Sequence, residues 1–187
     1  MRTFVAIEVD QSCRKKLRNA IEALKPVAEG VRWVNDNALH LTLKFIGELD
    51  EKELPTAISA IENAAAQSSP FNMEVAGISG FPPRGTPKVV FAAVSEPEGI
   101  LELLHESVDE TLHHDLGVKQ ETRKFVPHIT LGRVKKRGKA PTLNEMQDTV
   151  KDDYFGAVAV SGMELIKSDL TPDGPIYTTL HEFTLGG

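Results

Sequence analysis

His40-Leu41-Thr42-Leu43 and His128-Ile129-Thr130-Leu131 are two copies of one pattern: His, apolar, Thr, apolar. Along a β-strand, successive side chains point to opposite faces. Each tetrapeptide therefore sets an imidazole and a hydroxyl on one face and two aliphatic side chains on the other. The copies stand 88 residues apart, and the same shift takes Pro87 to Pro175 and Ile78 to Ile166. Strand and helix signals follow in the same order around each copy, which suggests an internal duplication.

Working outward from the first copy, FVAIEV within residues 3–8 reads as a strand. Asp10 is placed to cap a helix whose Leu17, Ala20, Ile21 and Leu24 recur at helical spacing, and Pro26 and Gly30 end it. Residues 39–48 alternate as a strand. Leu54, Ala57, Ile58 and Ile61 mark a second helix, and strands follow over 71–81 and 88–95, with a Pro82-Pro83 turn after the first. In the second half, Leu101, Leu104, Val108 and Leu112 mark a helix and 128–134 a strand. Pro141 and Thr142 open a short helix with Leu143, Met146 and Val150. Residues 155–167 and 176–185 read as strands, separated by the turn segment TPDGP from Thr171 to Pro175. No linker or low-complexity stretch divides the halves. The expectation is a single α+β domain over 1–187, built as two lobes.

The chain has 187 residues, 41% of them hydrophobic and 26% charged, an ordinary balance for a globular protein with a full core. No apolar run is long enough to span a bilayer, and the start MRTFVAIEVD lacks a signal-peptide pattern, so the expected location is cytoplasmic. One cysteine, Cys13, leaves no internal disulfide and no cysteine-rich zinc site. The net charge of −6 is unlike that of proteins that coat long nucleic acids through their whole surface. Residues 1–95 are charge-balanced, so the excess acid lies in the second half. Within that half, Arg133, Lys135, Lys136, Arg137 and Lys139 form a basic run. Such a patch suits a small anion or a nucleic-acid end, and equally a solvated loop.

If the lobes face each other, two imidazoles and two hydroxyls surround one small space. An imidazole near its ordinary pKa exists in both protonation states around neutrality. The neutral form can take a proton from an attacking water, and the charged form can give one to a departing oxygen. In-line displacement at phosphorus needs both, on opposite sides. The threonine hydroxyls can donate to the non-bridging oxygens. Neither histidine has a cysteine or carboxylate at ligand-like spacing, so no metal is expected. The set fits hydrolysis or transesterification of a phosphodiester.

The paired HLTL and HITL resemble the two HxTx motifs of the 2H phosphoesterase superfamily. RTFVAIEV, VRWVNDNALHLTLKFIGE, FVPHITLGRVK and SDLTPDGPIYTTLHEFTL are similar to the RNA 2′,3′-cyclic phosphodiesterases, also called 2′-5′ RNA ligases. The resemblance covers nearly the whole chain. It implies a bilobal duplicated fold, two antiparallel sheets flanking a central cleft with helices outside. It implies hydrolysis of RNA 2′,3′-cyclic phosphodiester ends to 2′-phosphates without a cofactor. Nothing in the sequence demands an oligomer, so a monomer is expected, and the chemistry suggests tRNA fragments as one source of such ends. Carried over, His40 is the proton donor, His128 the proton acceptor, and Thr42 and Thr130 hold the phosphate. The residues themselves leave donor and acceptor open, because the motifs are nearly symmetric. Ligation through a 2′-5′ linkage is the reverse type of reaction and is expected to be minor. Two rivals remain: a phosphodiesterase for 2′-5′ oligonucleotides or small cyclic nucleotides, and a non-catalytic RNA-end binding module.

Related proteins carry an arginine where Arg133 stands, and it could clamp phosphate. Strict alternation from His128 turns it away from the cleft, so it needs a bulge or a strand end to arrive there. Lys44 falls on the Thr42 face by the same count. Phe45, Trp33 and Phe125 are candidates for stacking a base. Tyr177 and His181 read as structural, and His105, His113 and His114 as the surface of a helix. Lys44 and Gly132 occupy matching places, so the two halves are not equivalent.

Overall fold

The computed structural model describes residues 1–136, 140–172 and 174–186. Its strands are β1 (Arg2–Glu8), β2 (Val31–Trp33), β3 (His40–Glu48), β4 (Phe71–Phe81), β5 (Val89–Ser95), β6 (His128–Val134), β7 (Tyr154–Val160), β8 (Gly162–Thr171) and β9 (Gly174–Thr184). Its α-helices are α1 (Gln11–Leu24), α2 (Leu54–Ala66), α3 (Ile100–Leu116) and α4 (Leu143–Thr149). Arg137 and Lys139 of the basic run, and Asp173 of the TPDGP turn, lie outside the described residues.

The fold is α+β, and its strands form one antiparallel sheet in the order β7-β4-β5-β6-β3-β1-β8-β9, with β2 paired to β6. The two expected sheets are the halves of this one. They are joined where β3 meets β6, through the single pair Leu41 and Ile129. Outward from that junction, β1, β8 and β9 lie on one side and β5, β4 and β7 on the other.

The chain passes from β7, at one edge, to β8, next to the other edge, through Ser161 alone. One residue spans only about 3.5 Å. The sheet must therefore curl until its ends come close. The Ser161 carbonyl accepts from Leu185 N at 2.8 Å, which ties the end of β9 to the same corner. This is where the structure departs from the expected single strand over 155–167. The stretch is two strands, pairing with β4 before Ser161 and with β1 and β9 after it. Gly162 makes the corner possible, since a Cβ there would sit 2.6 Å from the Phe183 carbonyl oxygen. The three-residue β2 was too short to leave a periodic signal.

The helices cover one face of the sheet. Leu41, Leu43, Ile129 and Leu131 are fully buried there among Leu17, Ile21, Ile61, Leu104 and Val108. Each such aliphatic side chain contributes roughly 1.5–3 kcal/mol by leaving water. Local signals hold the helices in place. The Asp10 carboxylate accepts from Cys13 N at 2.8 Å, and Thr142 and Glu145 form a capping box on α4. On the opposite, open face a smaller cluster of Phe4, Ala6, Ile166 and Tyr177 lies beside His40. Among the described residues, no helix is long and apolar enough to cross a membrane.

Gly132 lets β2 close over β6. A Cβ there would stand 2.7 Å from Val31 Cγ1 and 2.8 Å from Trp33 Cε3. Gly132→Ala should destabilise the protein by about 1–3 kcal/mol, the cost of overpacking, read by urea denaturation. An unchanged midpoint would show that β2 is not held by this contact.

Candidate active site

The antiparallel pairing of Leu41 with Ile129 sets His40 beside Thr130 and Thr42 beside His128. All four project from the face opposite the buried leucine and isoleucine, and all four line one cavity of about 370 Å³.

Each motif strand carries one extra residue immediately after its threonine. On β3, Thr42 pairs with Ala6 and Lys44 with Val5, leaving Leu43 without a partner. On β6, Thr130 pairs with Phe91 and Gly132 with Val90, leaving Leu131 without one. The two bulges stand 88 residues apart. A bulge reverses the facing of everything beyond it. Arg133 is thereby turned into the cavity wall, and Phe45 faces the cleft with 62% of its surface exposed. Lys44, expected on the Thr42 face, is instead buried. Its ammonium pairs with Asp109 on α3 and donates to the Lys119 carbonyl at 2.7 Å, so it does not line the cavity between the histidines. The carbonyls freed by the bulges are satisfied from outside the ladder. His105 Nδ1 donates to Leu43 O at 2.8 Å, and Val34 N donates to Leu131 O at 2.9 Å.

The two imidazoles sit in matched aromatic settings with different hydrogen bonding. His40 is 7% exposed, stacked on Phe4 at 5.1 Å and met edge-on by Tyr177 at 5.4 Å. Its buried Nδ1 has no hydrogen-bond partner. Burial lowers its pKa to about 4, and the nearby Arg14 guanidinium pushes the same way. The Asn37 backbone, short of hydrogen-bonding geometry, opposes both. Arg14 is itself fixed by the Glu8 carboxylate and the Asp36 carbonyl, and so anchors the turn that leads into β3. His128 lies 4.9 Å from the Phe91 ring and 5.3 Å from Phe81. Its Nδ1 bonds the Val126 carbonyl at 2.7 Å. A carbonyl only accepts, so Nδ1 carries the hydrogen, and the neutral ring offers its free lone pair at Nε2. Burial pushes the His128 pKa below its ordinary value, against the Val126 hydrogen bond, with Arg133 adding to the drop.

Arg2, Arg32, Arg133 and Lys135 line the cavity, and no described lining residue is a carboxylate. On a chain of net charge −6 this concentrates positive charge at one place. Arg32 stands directly opposite Arg133 across the β2–β6 ladder. Like charges so placed repel, and a bound anion relieves that repulsion. Sequence reasoning missed Arg2 and Arg32, which stand outside the motif strands. Only the β1–β3 and β2–β6 pairings bring them in. Tyr177, read as structural, also lines the cavity, as does Trp33. Phe125 does not: it stacks on His105 at 4.1 Å. His105, read as a surface residue, is 8% exposed because it reaches the Leu43 bulge. His114 is exposed, His113 bonds the Val118 carbonyl, and His181 packs beside Phe183. Among the described residues, no group of three His, Cys, Asp or Glu is arranged to hold a metal ion.

Residues 14–172 match the 2′-5′ RNA ligase superfamily. A protein of Archaeoglobus fulgidus named RNA 2′,3′-cyclic phosphodiesterase is 38% identical, with the alignment covering 98% of this chain and 99% of that one. One of the same name from Thermotoga maritima is 33% identical over 100% of this chain and 97% of its own. The crystal structure of TT0787 of Thermus thermophilus superposes with a TM-score of 0.84 at 31% identity, covering 99% of this chain and 98% of that one.

The His40 environment has a consequence for stability. The unfolded ring takes a proton near pH 6.5 and the folded one only near 4. Between those values the unfolded state binds more protons, so stability is lost as the pH is lowered from 6.5 towards 4. At pH 4.5 the deficit is about 2–3 kcal/mol. His40→Asn should therefore lose less stability than the parent between pH 7 and pH 4.5, by about that amount, in urea melts at the two pH values. Equal losses would show that the ring is not held neutral by burial.

Proposed function

This chain belongs to the 2′-5′ RNA ligase superfamily, and on that premise we propose that it hydrolyses RNA 2′,3′-cyclic phosphate ends to 2′-phosphomonoesters, with His40 as general acid and His128 as general base. The observation that carries this reading is the convergence of both His–Thr pairs on one cavity whose charged lining, among the described residues, is cationic. The names of the relatives supply the substrate class.

The cyclic phosphate sits between the imidazoles. Thr42 and Thr130 donate to its non-bridging oxygens, and Arg133 offsets their charge. Water on the His128 side gives its proton to Nε2 as its oxygen bonds to phosphorus. The P–O3′ bond breaks on the opposite side, and His40 protonates the departing oxygen. The Val126 hydrogen bond supports the base assignment, because it leaves Nε2 free. His40 is neutral in the free protein. The negative charge of the bound phosphodiester raises its pKa, so the acid takes up its proton as substrate arrives.

The same reading makes residues 1–187 one duplicated bilobal domain, supported by the matched order of strands on either side of β3 and β6. A single chain suffices, since both motifs come from it. The reaction needs no metal or cofactor, and the single buried cysteine suits a cytoplasmic setting.

The test is a short RNA ending in 2′,3′-cyclic phosphate, incubated with the protein in EDTA, with the product isomer identified. The expected product is the 2′-phosphate. His40→Ala and His128→Ala should each lower kcat by about 10²–10⁴-fold while keeping the native circular dichroism spectrum. A 3′-phosphate product, loss of turnover in EDTA, or full activity in either variant would overturn the mechanism.

A further inference from the structure

Residues 117–127 lead from α3 to β6 and belong to no helix or strand. Among the described residues, no backbone–backbone hydrogen bond joins 119–126 to the rest of the chain. The sheet takes hold only at Pro127, whose carbonyl accepts from Val94 N at 3.3 Å. Yet the Val126 carbonyl of this segment meets His128 Nδ1 at 2.7 Å and so decides which nitrogen of that ring carries the hydrogen. A loop without such ties would be free to carry the carbonyl away.

Side chains hold it instead. Gly117 ends α3 in the left-handed conformation, φ 67°. Its N–H donates to His113 O at 2.9 Å and that of Val118 to Leu112 O at 3.3 Å, which turns the chain back along the helix. There it passes His105 and Asp109, four residues apart and so on one side of α3. Both Asp109 oxygens accept from Glu121 N at 3.2 Å. Lys44, paired with Asp109, donates to Lys119 O at 2.7 Å. Phe125 lies flat on the His105 ring, with centroids 4.1 Å and planes 7° apart. The segment is thus anchored at Lys119, Glu121 and Phe125, the last of them next to Val126. The other ends of these anchors reach β3, where His105 Nδ1 donates to Leu43 O and Lys44 follows in the chain, just past Thr42. Lys44, Asp109 and His105 are all buried. Stability alone does not account for them, because two apolar side chains of similar volume commonly do as well as a buried ion pair. What the pair and the stack supply is direction.

We propose that Asp109, His105 and Phe125 are positioning residues for His128: they aim the Val126 carbonyl at Nδ1 and so keep the lone pair on Nε2, where the proton of water must go. This rests on the assignment of His128 as general base. Without the anchors, either nitrogen can carry the hydrogen, and a ring that carries it on Nε2 takes no proton from water. The phosphate still meets the same cationic wall, so turnover falls while binding stays.

The test uses two variants. Lys44→Met with Asp109→Leu removes the pair without leaving a bare charge, and Phe125→Leu removes the stack while keeping apolar bulk. Phe125 is only half-buried, so its variant keeps the fold whatever the pair contributes. Each protein carries 15N-labelled histidine, and the His128 ring signals are identified by their loss in His128→Gln. At about pH 8 the ring is neutral, since its pKa lies below the ordinary value. The parent should then hold its hydrogen on Nδ1, and both variants should show a mixture of the two tautomers. On a 2′,3′-cyclic mononucleotide, kcat should fall about tenfold with KM within about twofold of the parent. Phe125→Tyr, which restores the ring, should recover both the tautomer and kcat. A lower urea midpoint with tautomer and kcat unchanged would make the network structural and overturn the inference. So would a kcat that falls with the hydrogen still on Nδ1, or a loss confined to KM. A parent that opens no cyclic phosphate would remove the proposed function, and the tautomers of the variants would still decide the positioning.

Discussion

Strands β3 and β6 touch through the pair Leu41 and Ile129, and the geometry of the site descends from that contact. The two side chains are fully buried under the helices. Alternation then sends the residues on either side of them, His40 and Thr42, His128 and Thr130, to the open face. Because the pairing is antiparallel, each histidine comes to stand beside the threonine of the other motif. A longer ladder between β3 and β6 would close the cleft with side chains. A single bridge joins the halves and leaves room for a phosphate between them.

The bulges after each threonine refine this arrangement. They reverse the facing of β3 and β6 just past the motifs, and the protein uses the reversal differently in its two halves. On β6 it turns Arg133 to the cavity. On β3 it turns Phe45 to the cleft and sends Lys44 down to Asp109. Bulge carbonyls lost to the ladder are costly if left bare in a buried place, by about 1–3 kcal/mol each. His105 and Val34 meet that need. Lys44 is a charge under a sheet, and it is tolerable there because Asp109 and the Lys119 carbonyl surround it. Removing Asp109 alone would leave a bare buried charge, which is worse than having neither.

This explains what could be read from the chain and what could not. The motifs, the offset of 88 and most strands and helices were legible, because they rest on local periodicity and caps. Asp10, Thr142 and the turn after Phe81 show this. The facing of Lys44, Phe45 and Arg133 was not, because a bulge leaves no mark in a string of apolar residues. Leu43 and Leu131 look like any other inward leucine. The break at Ser161 was hidden for a related reason. It is set by which strand lies alongside, and a single Ser161-Gly162 pair inside an otherwise apolar, strand-like stretch is a weak mark of a corner. Arg2 and Arg32 were invisible as site residues because only pairing across the sheet brings them to the cavity. His105 was misread because its partner is a carbonyl of a distant strand.

The site without ligand is held against two electrostatic preferences. Arg32 faces Arg133 across a ladder, and His40 is buried with an orphaned Nδ1. Both are relieved by the same event. An anion in the cavity screens the arginines from each other, and it favours the charged form of the imidazole that burial suppresses. Binding and protonation are therefore linked: whatever free energy the anion gains from the cationic wall is partly used to charge His40. A neutral ligand of the same shape would gain neither, so the cavity selects for charge before any contact to a base or ribose is made. The buried Lys44–Asp109 pair takes no part in this. It is already neutral as a unit and lies off the cavity, which leaves the wall cations as the charges that an incoming phosphate meets.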